Sequence, residues 1–173
     1  MIDFILLIVF GLITWCVSGE GAFGAAVTCI CVILAGLLPM NFYEPAAAMG
    51  EAFASNGSWA YRWDMIAMLG LFSVFTLLLR FATTNLAKLY IQMSNLTHEI
   101  CRWLFGAITG YVVMAFCLTA LHTAPFPRDM TSLGFTPERR NLFDVVAPDR
   151  QWLGFTQYAS ESVFGGNDRY FDG

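Results

Sequence analysis

Charge is what this sequence has least of. Asp, Glu, Lys and Arg make up only 13% of its 173 residues, whereas they make up about 25% of an ordinary soluble domain. Nine residues are basic and Lys88 is the only lysine, so the chain lacks the basic surface that nucleic acid requires. Hydrophobic residues make up 57%, and the mean hydropathy is +0.60. This composition predicts an integral membrane protein of one domain's length.

Other absences narrow the functional class of the protein further. The five cysteines are too few for a disulfide-dense scaffold and lie in or beside apolar segments, so we expect free thiols. There is no phosphate-binding glycine loop, no His-Glu-x-x-His pattern and no nucleophile-elbow pattern. We therefore expect no enzyme activity, no metal and no cofactor. Asp3 stands where a signal peptide has basic residues, so we expect the first apolar segment to be retained.

Four apolar segments approach the roughly 20 residues that a membrane-spanning helix needs. They cover residues 2–18, 23–42, 63–83 and 102–123. No segment alternates apolar and polar residues with a period of two, which argues against strands. The predicted fold is an all-α integral membrane bundle of four transmembrane helices with a C-terminal tail on the membrane surface.

The connections between these spans carry weaker helical signals. Glu44 and Pro45 predict the start of a short helix, because proline suits the first helical turn. After the third span, apolar residues recur at steps of three and four, which predicts an amphipathic helix that continues the third helix along the interface. These residues are Leu86, Leu89, Met93, Leu96 and Ile100.

The character of the chain changes after Thr123, where two prolines stop the fourth span. We divide the chain there into a four-span bundle, residues 1–123, and a polar, aromatic-rich tail, residues 124–173. Pro148 and Asp149 predict a helix start in the tail, with Asp149 as the cap. One face of that short amphipathic helix would hold Trp152, Phe155, Ala159 and Val163.

The stretch VSGEGAFGAA, residues 17–26, joins the first two spans. Its shortness predicts an antiparallel helix hairpin, with Gly19 and Gly21 suited to the turn. Small residues then recur every four positions, which in lipid lets helix backbones approach closely. The pairs are Gly21 with Ala25 and Ala22 with Ala26. We expect this small face of the second helix to pack against the first helix.

The fourth span contains a second pattern of small residues. Gly106 and Gly110 form a literal Gly-x-x-x-Gly motif in an apolar helix. The motif predicts tight packing against another helix, either inside the bundle or between two copies of the chain.

Ionisable side chains at the spans are costly in lipid and are usually paired or functional. Asp3, Arg62 and Asp64 should lie at the same membrane face, because the first and third spans start on the same side. An Asp3–Arg62 ion pair is one hypothesis, and interface anchoring or an ion or proton pathway are the others. Glu20 is expected in water at the turn, and Arg80 is expected to extend toward the opposite face.

Two histidines flank the fourth span. His98 precedes it and His122 ends it, so in a helix they are roughly 36 Å apart and cannot share one metal centre. We expect His98 to be an interfacial polar residue and His122 a polar residue at the helix end. Alternatively, either histidine is the single axial ligand of a haem or chlorophyll.

Together these segments resemble the colicin V production family of four-helix inner-membrane proteins. Residues 2–4 (Ile-Asp-Phe) precede an apolar span and a glycine-rich turn, and Gly106 and Gly110 match the glycine-rich last helix. Glu20 stands where that family usually has a basic residue. The tail stretches LHTAPFPRDM and APDRQWLGFTQYAS resemble the extended versions found in planctomycete-type bacteria. The resemblance covers about residues 2–122 and extends to the tail.

This resemblance implies a non-enzymatic role in colicin V export and in envelope homeostasis, with no catalytic residues to carry over. It also implies a bacterial inner membrane, with both termini outside the cytoplasm. The expected partners are the lipid bilayer and other membrane proteins or further copies of the chain. Two other classes stay open: an accessory or scaffold subunit of a larger membrane complex, with or without pigments, and a small transporter or channel.

Overall fold

A computed structural model of the chain describes residues 2–53, 63–86, 94–123 and 146–160. Within these ranges the regular elements are α-helices, which confirms the all-α prediction. The helices are α1 (Ile2–Ser18), α2 (Gly21–Leu37), α3 (Pro39–Phe53), α4 (Trp63–Leu86), α5 (Asn95–Thr123) and α6 (Pro148–Ala159). The α1–α2 turn, the end of α4 and the start of α5 lie at one end of the bundle, which we call the turn end. The opposite end is the tail end.

Fewer than four helices have the length that a membrane span requires. α4, which matches the third predicted span, and α5 are each long and apolar enough to cross a bilayer. α2 and α3 pass the same test only as a pair, and they are bent by 55°. α1 has 17 residues, which corresponds to about 25 Å against a hydrocarbon core of roughly 30 Å. Among the described residues, two helices are thus long and apolar enough to span a membrane, or three if the bent pair is one span.

The second predicted span, residues 23–42, breaks at Pro39. Proline has no backbone N–H and fits the first turn of a helix better than the interior, so α2 ends at Leu37 and α3 begins at Pro39. The short helix expected to open at Glu44 therefore starts earlier than predicted, and Pro45 lies inside α3.

The fourth span also starts earlier than predicted, because α5 begins at Asn95. Leu96 and Ile100, which we expected to continue the third helix, belong to the first turns of α5. Both side chains are exposed. Leu89 and Met93 lie outside the described residues.

α5 is the central helix and contacts α1, α2, α4 and α6. Its glycines face α1. A Cβ atom at Gly106 would lie 3.0 Å from the Thr14 carbonyl oxygen, and one at Gly110 would lie 2.8 Å from the Phe10 carbonyl oxygen. A side chain at Gly110 would displace the α1 backbone, whereas one at Gly106 would require α1 to shift by a few tenths of an ångström. Close approach of this kind is what lets apolar helices associate in lipid. The structure therefore places the Gly-x-x-x-Gly motif inside the bundle, against α1.

The small face of α2 packs mainly against α5, not against α1 as the spacing suggested. Ala22 and Ala25 are buried, and Ala26 is half-buried. Further along the same helix, Val32 shares a core cluster with Phe116 of α5. The reason is that α5 has two contact surfaces. Its glycines contact α1, and the surface that includes Phe116 contacts α2, so both helices of the hairpin pack on α5.

The tail helix α6 docks on α2 and α5. Trp152 is 4% exposed, and its ring occupies the space beside Gly36, where a Cβ atom would lie 2.5 Å from the indole. The ring also meets Phe116 edge-on, and Phe116 stacks on Phe72 of α4. An aromatic core therefore runs from α4 through α5 to the tail.

Asp149 does not cap α6, contrary to the prediction. Ala147 is the N-cap residue, and Asp149 lies in the first turn. Its buried side chain instead reaches α5, where its Oδ2 atom lies 3.2 Å from Nε2 of His122. Of the predicted apolar face, Phe155 is 43% exposed, and Val163 lies outside the described residues.

Large apolar side chains cover the outside of the bundle. Trp15 of α1 and Phe81 of α4 are each 71% exposed. Only 11% of the residues in the most apolar 18-residue stretch of α4 are buried, whereas 56% are buried in the corresponding stretch of α5. A surface of this kind is expected where a helix faces lipid or another apolar helix.

Gly110→Ala tests the contact between α1 and α5. The added methyl group would lie 2.6 Å from Thr14 Oγ1 and 2.8 Å from the Phe10 carbonyl oxygen. We expect this overpacking to cost about 1–3 kcal/mol of stability. Gly70→Ala in α4 is the control, because a Cβ atom there meets nothing within 4 Å. If both variants melt alike in detergent, α1 does not rest on Gly110.

Trp152→Ala should release α6 from the bundle. Loss of a buried tryptophan costs about 3–5 kcal/mol, which would raise the undocked population on the order of 100-fold or more. Trypsin cleavage after Arg150 in detergent should accelerate accordingly, because cleavage needs an opened helix. Leu153→Ala removes a side chain that is 47% exposed and should leave the cleavage rate unchanged. Fast cleavage of the unmodified chain would mean that α6 is not docked.

Candidate functional site: a charged junction between α2 and α4

A carboxylate and a guanidinium group meet beside α2 near the turn end. Arg80 Nη2 of α4 donates a hydrogen bond to Glu20 Oε2 over 2.5 Å. The Thr28 hydroxyl of α2 donates to the same oxygen over 2.7 Å. We call Glu20, Thr28 and Arg80 the charged junction. It links the α1–α2 turn to a helix that lies 60 positions further along the chain.

Glu20 reaches this position because Gly24 leaves it room. Glu20 is the N-cap residue of α2, yet its side chain makes no capping hydrogen bond and runs along the helix instead. A Cβ atom at Gly24 would lie 2.9 Å from the Glu20 Cβ. Thr28 is about 12 Å further along the helix axis than Glu20, so the Glu20 side chain extends along α2 toward it. Glu20 is exposed, as expected for a charge at the turn, and Arg80 of α4 extends to its carboxylate.

A second polar contact continues the junction between α2 and α4. Cys31 Sγ lies 3.8 Å from Thr83 Oγ1, and the Thr83 hydroxyl also lies within hydrogen-bonding distance of the Leu79 carbonyl in its own helix. Other hydroxyl groups of α4 donate to carbonyls of the preceding turn in the same way, those of Ser73, Thr76 and Thr84. Such bonds satisfy polar groups without water, as a lipid environment requires.

His98 joins α5 to the start of α2. Its Nε2 atom accepts a hydrogen bond from the Ala22 backbone N–H over 3.4 Å, which is one of the first-turn amides that have no partner within their own helix. Gly21 adopts a φ of 84°, and a Cβ atom there would lie 3.3 Å from Nε2.

The ionisable residues predicted to share the opposite membrane face, Asp3, Arg62 and Asp64, are only partly described. Asp3 is half-buried in the first turn of α1, and Asp64 is exposed in the first turn of α4. Negative charge is favourable at both positions, because the N-terminus of a helix carries partial positive charge. Arg62 lies outside the described residues, so the Asp3–Arg62 pair stays a prediction.

A second polar contact region holds α6 at the tail end. His122 pairs with Asp149, and the Tyr111 hydroxyl donates to Gln151 Oε1. His98 and His122 thus lie near opposite ends of α5, and each contacts another helix. Among the described residues, no group of three His, Cys, Asp or Glu side chains is placed to hold a metal ion.

The charged junction is suited to fixing the position of α4 against the hairpin. The Glu20 carboxylate receives two donors on one oxygen, from a different helix each, so sliding either helix would break a charge-assisted bond. Both charged side chains are partly accessible, at 37% for Glu20 and 31% for Arg80, so the pair lies at the edge of the bundle. Its geometry supports helix association.

Both charges are apparent in the sequence, but their pairing is not. A signal was present, since Glu20, Gly24 and Thr28 recur every four residues and therefore lie on one stripe of α2. On α4, Arg80 and Thr83 are likewise neighbours on one face. Pairing the two stripes requires the packing of α2 against α4, which no local pattern supplies.

Comparisons with protein-family models, curated proteins and solved structures find no match to this chain. The geometry of the described helices and the resemblance stated above are therefore the grounds for a functional proposal.

A double-mutant cycle measures the charged junction. Glu20→Gln and Arg80→Gln, alone and combined, should give a coupling free energy of about 1 kcal/mol, the upper end of the range for accessible pairs, because the bond is charge-assisted and joins two helices. The control cycle uses Glu99→Gln and Arg102→Gln, a pair on one face of α5 in which the Glu99 side chain is 54% exposed. That pair should couple by less than about 0.5 kcal/mol. Unfolding in detergent gives both values, and similar small couplings would contradict the role assigned to the junction.

Proposed function

We propose that the chain is a non-enzymatic integral membrane protein that supports export or envelope homeostasis by associating with other membrane proteins, as similarity to the colicin V production family implies. The proposal includes a multi-pass position in a bacterial inner membrane with both termini outside the cytoplasm. The four-span arrangement of that family would require α1, and α2 with α3, to cross the bilayer as well.

The observation that supports a binding role is how the chain uses its polar and apolar side chains. Two polar contacts, the Glu20–Arg80 ion pair and the His122–Asp149 contact, link one helix of the chain to another. The outer surface is left to large apolar side chains, such as Trp15 and Leu77. A protein built this way offers helix surfaces to its surroundings, and its charges maintain the shape of those surfaces.

A second candidate, an accessory or scaffold subunit of a larger membrane complex, is favoured by α4. This helix is long and apolar enough to span a membrane, yet only 11% of the residues in its most apolar 18-residue stretch are buried. Its outward face also contains an open position at Gly70, where a side chain would meet nothing within 4 Å. A neighbouring transmembrane helix fits such a face, because small residues permit close packing.

Native purification distinguishes these roles. The tagged full chain is extracted from its own membranes in mild detergent, and the mass and composition of the particle are measured. We expect the chain to be associated with other copies or with another membrane protein. A partner of different sequence in fixed stoichiometry supports the subunit role. A monomer without a partner, combined with normal secretion and envelope integrity after gene deletion, would contradict both roles.

A matched pair of variants locates the association surface. Gly70→Leu places a bulky side chain on the outer face of α4, and Gly11→Leu does the same on the outer face of α1, where a Cβ atom also meets nothing within 4 Å. We expect Gly70→Leu to reduce the recovered partner several-fold and Gly11→Leu to leave it unchanged. Equal recovery with both variants would exclude α4 as the contact face.

A further inference from the structure

An apolar cavity lies beneath the tail helix. It has a volume of about 190 Å³, and its walls come from α2, α5 and α6. Ile33 of α2, Val112 and Ala115 of α5, and Trp152 and Phe155 of α6 line it. The accessible surface of these walls is almost entirely carbon, and the cavity is open on one side. None of the charged groups described above lines it.

Water is a poor occupant of such a cavity. An apolar cavity of about 150 Å³ stays dry and instead takes up a hydrocarbon of the size of benzene. An empty cavity would leave its lining atoms without dispersion contacts on one side. The cavity therefore favours an alkyl chain, and its volume accommodates a segment of one.

The surface next to the cavity leads to the lipid-facing side of the bundle. Ile30 and Leu34, on the same stripe of α2 as Ile33, are 59% and 47% exposed. Ile108, one turn before Val112 on α5, is 39% exposed. Since α5 is long and apolar enough to span a bilayer, these side chains would meet acyl chains. A chain can thus pass from the bilayer into the cavity without crossing a polar surface.

Polar side chains mark one rim of the cavity. Gln151, which also lines the cavity, is bonded to the Tyr111 hydroxyl. The Asp149–His122 pair fixes α6 to α5, so the helix lies across the cavity.

We propose that this cavity is a binding site for one acyl chain of a bilayer phospholipid, with α6 closing over the chain. The proposal does not depend on the export, envelope or subunit role of the protein. Its ligand is defined by chemistry: an uncharged alkyl chain in the cavity, supplied by a lipid of the surrounding bilayer.

Native mass spectrometry of the full chain tests the site. The protein is reconstituted in phosphatidylcholine vesicles, extracted and washed in detergent, and the number of retained lipids is counted by mass. We expect a single tightly held lipid on the unmodified chain and none on Val112→Phe, because the added ring fills the cavity. Val74→Phe is the matched control: it makes the same change on α4 at a side chain that is 51% exposed, and it should retain the lipid.

A second measurement remains decisive if Val112→Phe fails to fold. In a variant that keeps Trp152 and replaces the other four tryptophans with phenylalanine, indole fluorescence is recorded in vesicles of phosphatidylcholine with brominated acyl chains. Contact between the acyl chain and the buried ring should quench the emission strongly. Unquenched emission from Trp152, or a retained lipid on Val112→Phe, or detergent in place of lipid on the unmodified chain, would overturn the proposal.

Discussion

The fold depends on how closely the backbone of α1 approaches that of α5. Lipid supplies no hydrophobic drive between two apolar helices, so association relies on close packing and on the few polar contacts available. Gly106 and Gly110 provide that packing, since a Cβ atom at either position would fall within 3.0 Å of a carbonyl oxygen of α1. With α1 seated there, the opposite side of α5 is free to hold α2 and, through Phe116, the tail helix and α4.

The polar contacts then determine where each remaining helix sits. At the turn end, Glu20 connects the hairpin to Arg80 of α4, and His98 connects α5 to the first turn of α2. At the tail end, Asp149 and His122 hold α6 on α5. In a hydrocarbon medium, apolar packing alone determines the position of a helix only weakly. The polar contacts are directional, so they restrict that position further. The same arrangement leaves the cavity under α6 without charged walls and the outer face of α4 without a partner within the described chain.

Sequence periodicity predicted what depends on a single helix. It identified α4 and α5, the helical tail segment after Pro148, and the small residues Gly106 and Gly110. It failed where two distant segments meet: the Glu20–Arg80 pair and the burial of Asp149 against His122 depend on packing between helices. It also read α2 and the start of α3 as one continuous span, because hydropathy averages across Pro39 and does not register the 55° bend between the two helices.

Cross-linking α1 to α5 tests the central contact most directly. A Cβ atom at Gly106 would lie 3.6 Å from the Cβ of Ser18, within the range of about 3.5–4.5 Å that a disulfide bond spans. In a chain whose native cysteines are replaced by alanine, Ser18→Cys combined with Gly106→Cys should form an intramolecular disulfide under mild oxidation in membranes. Gly11→Cys combined with Gly106→Cys should not, because Gly11 faces away from α5. Equal cross-linking of both pairs, or none with Ser18→Cys, would contradict the account.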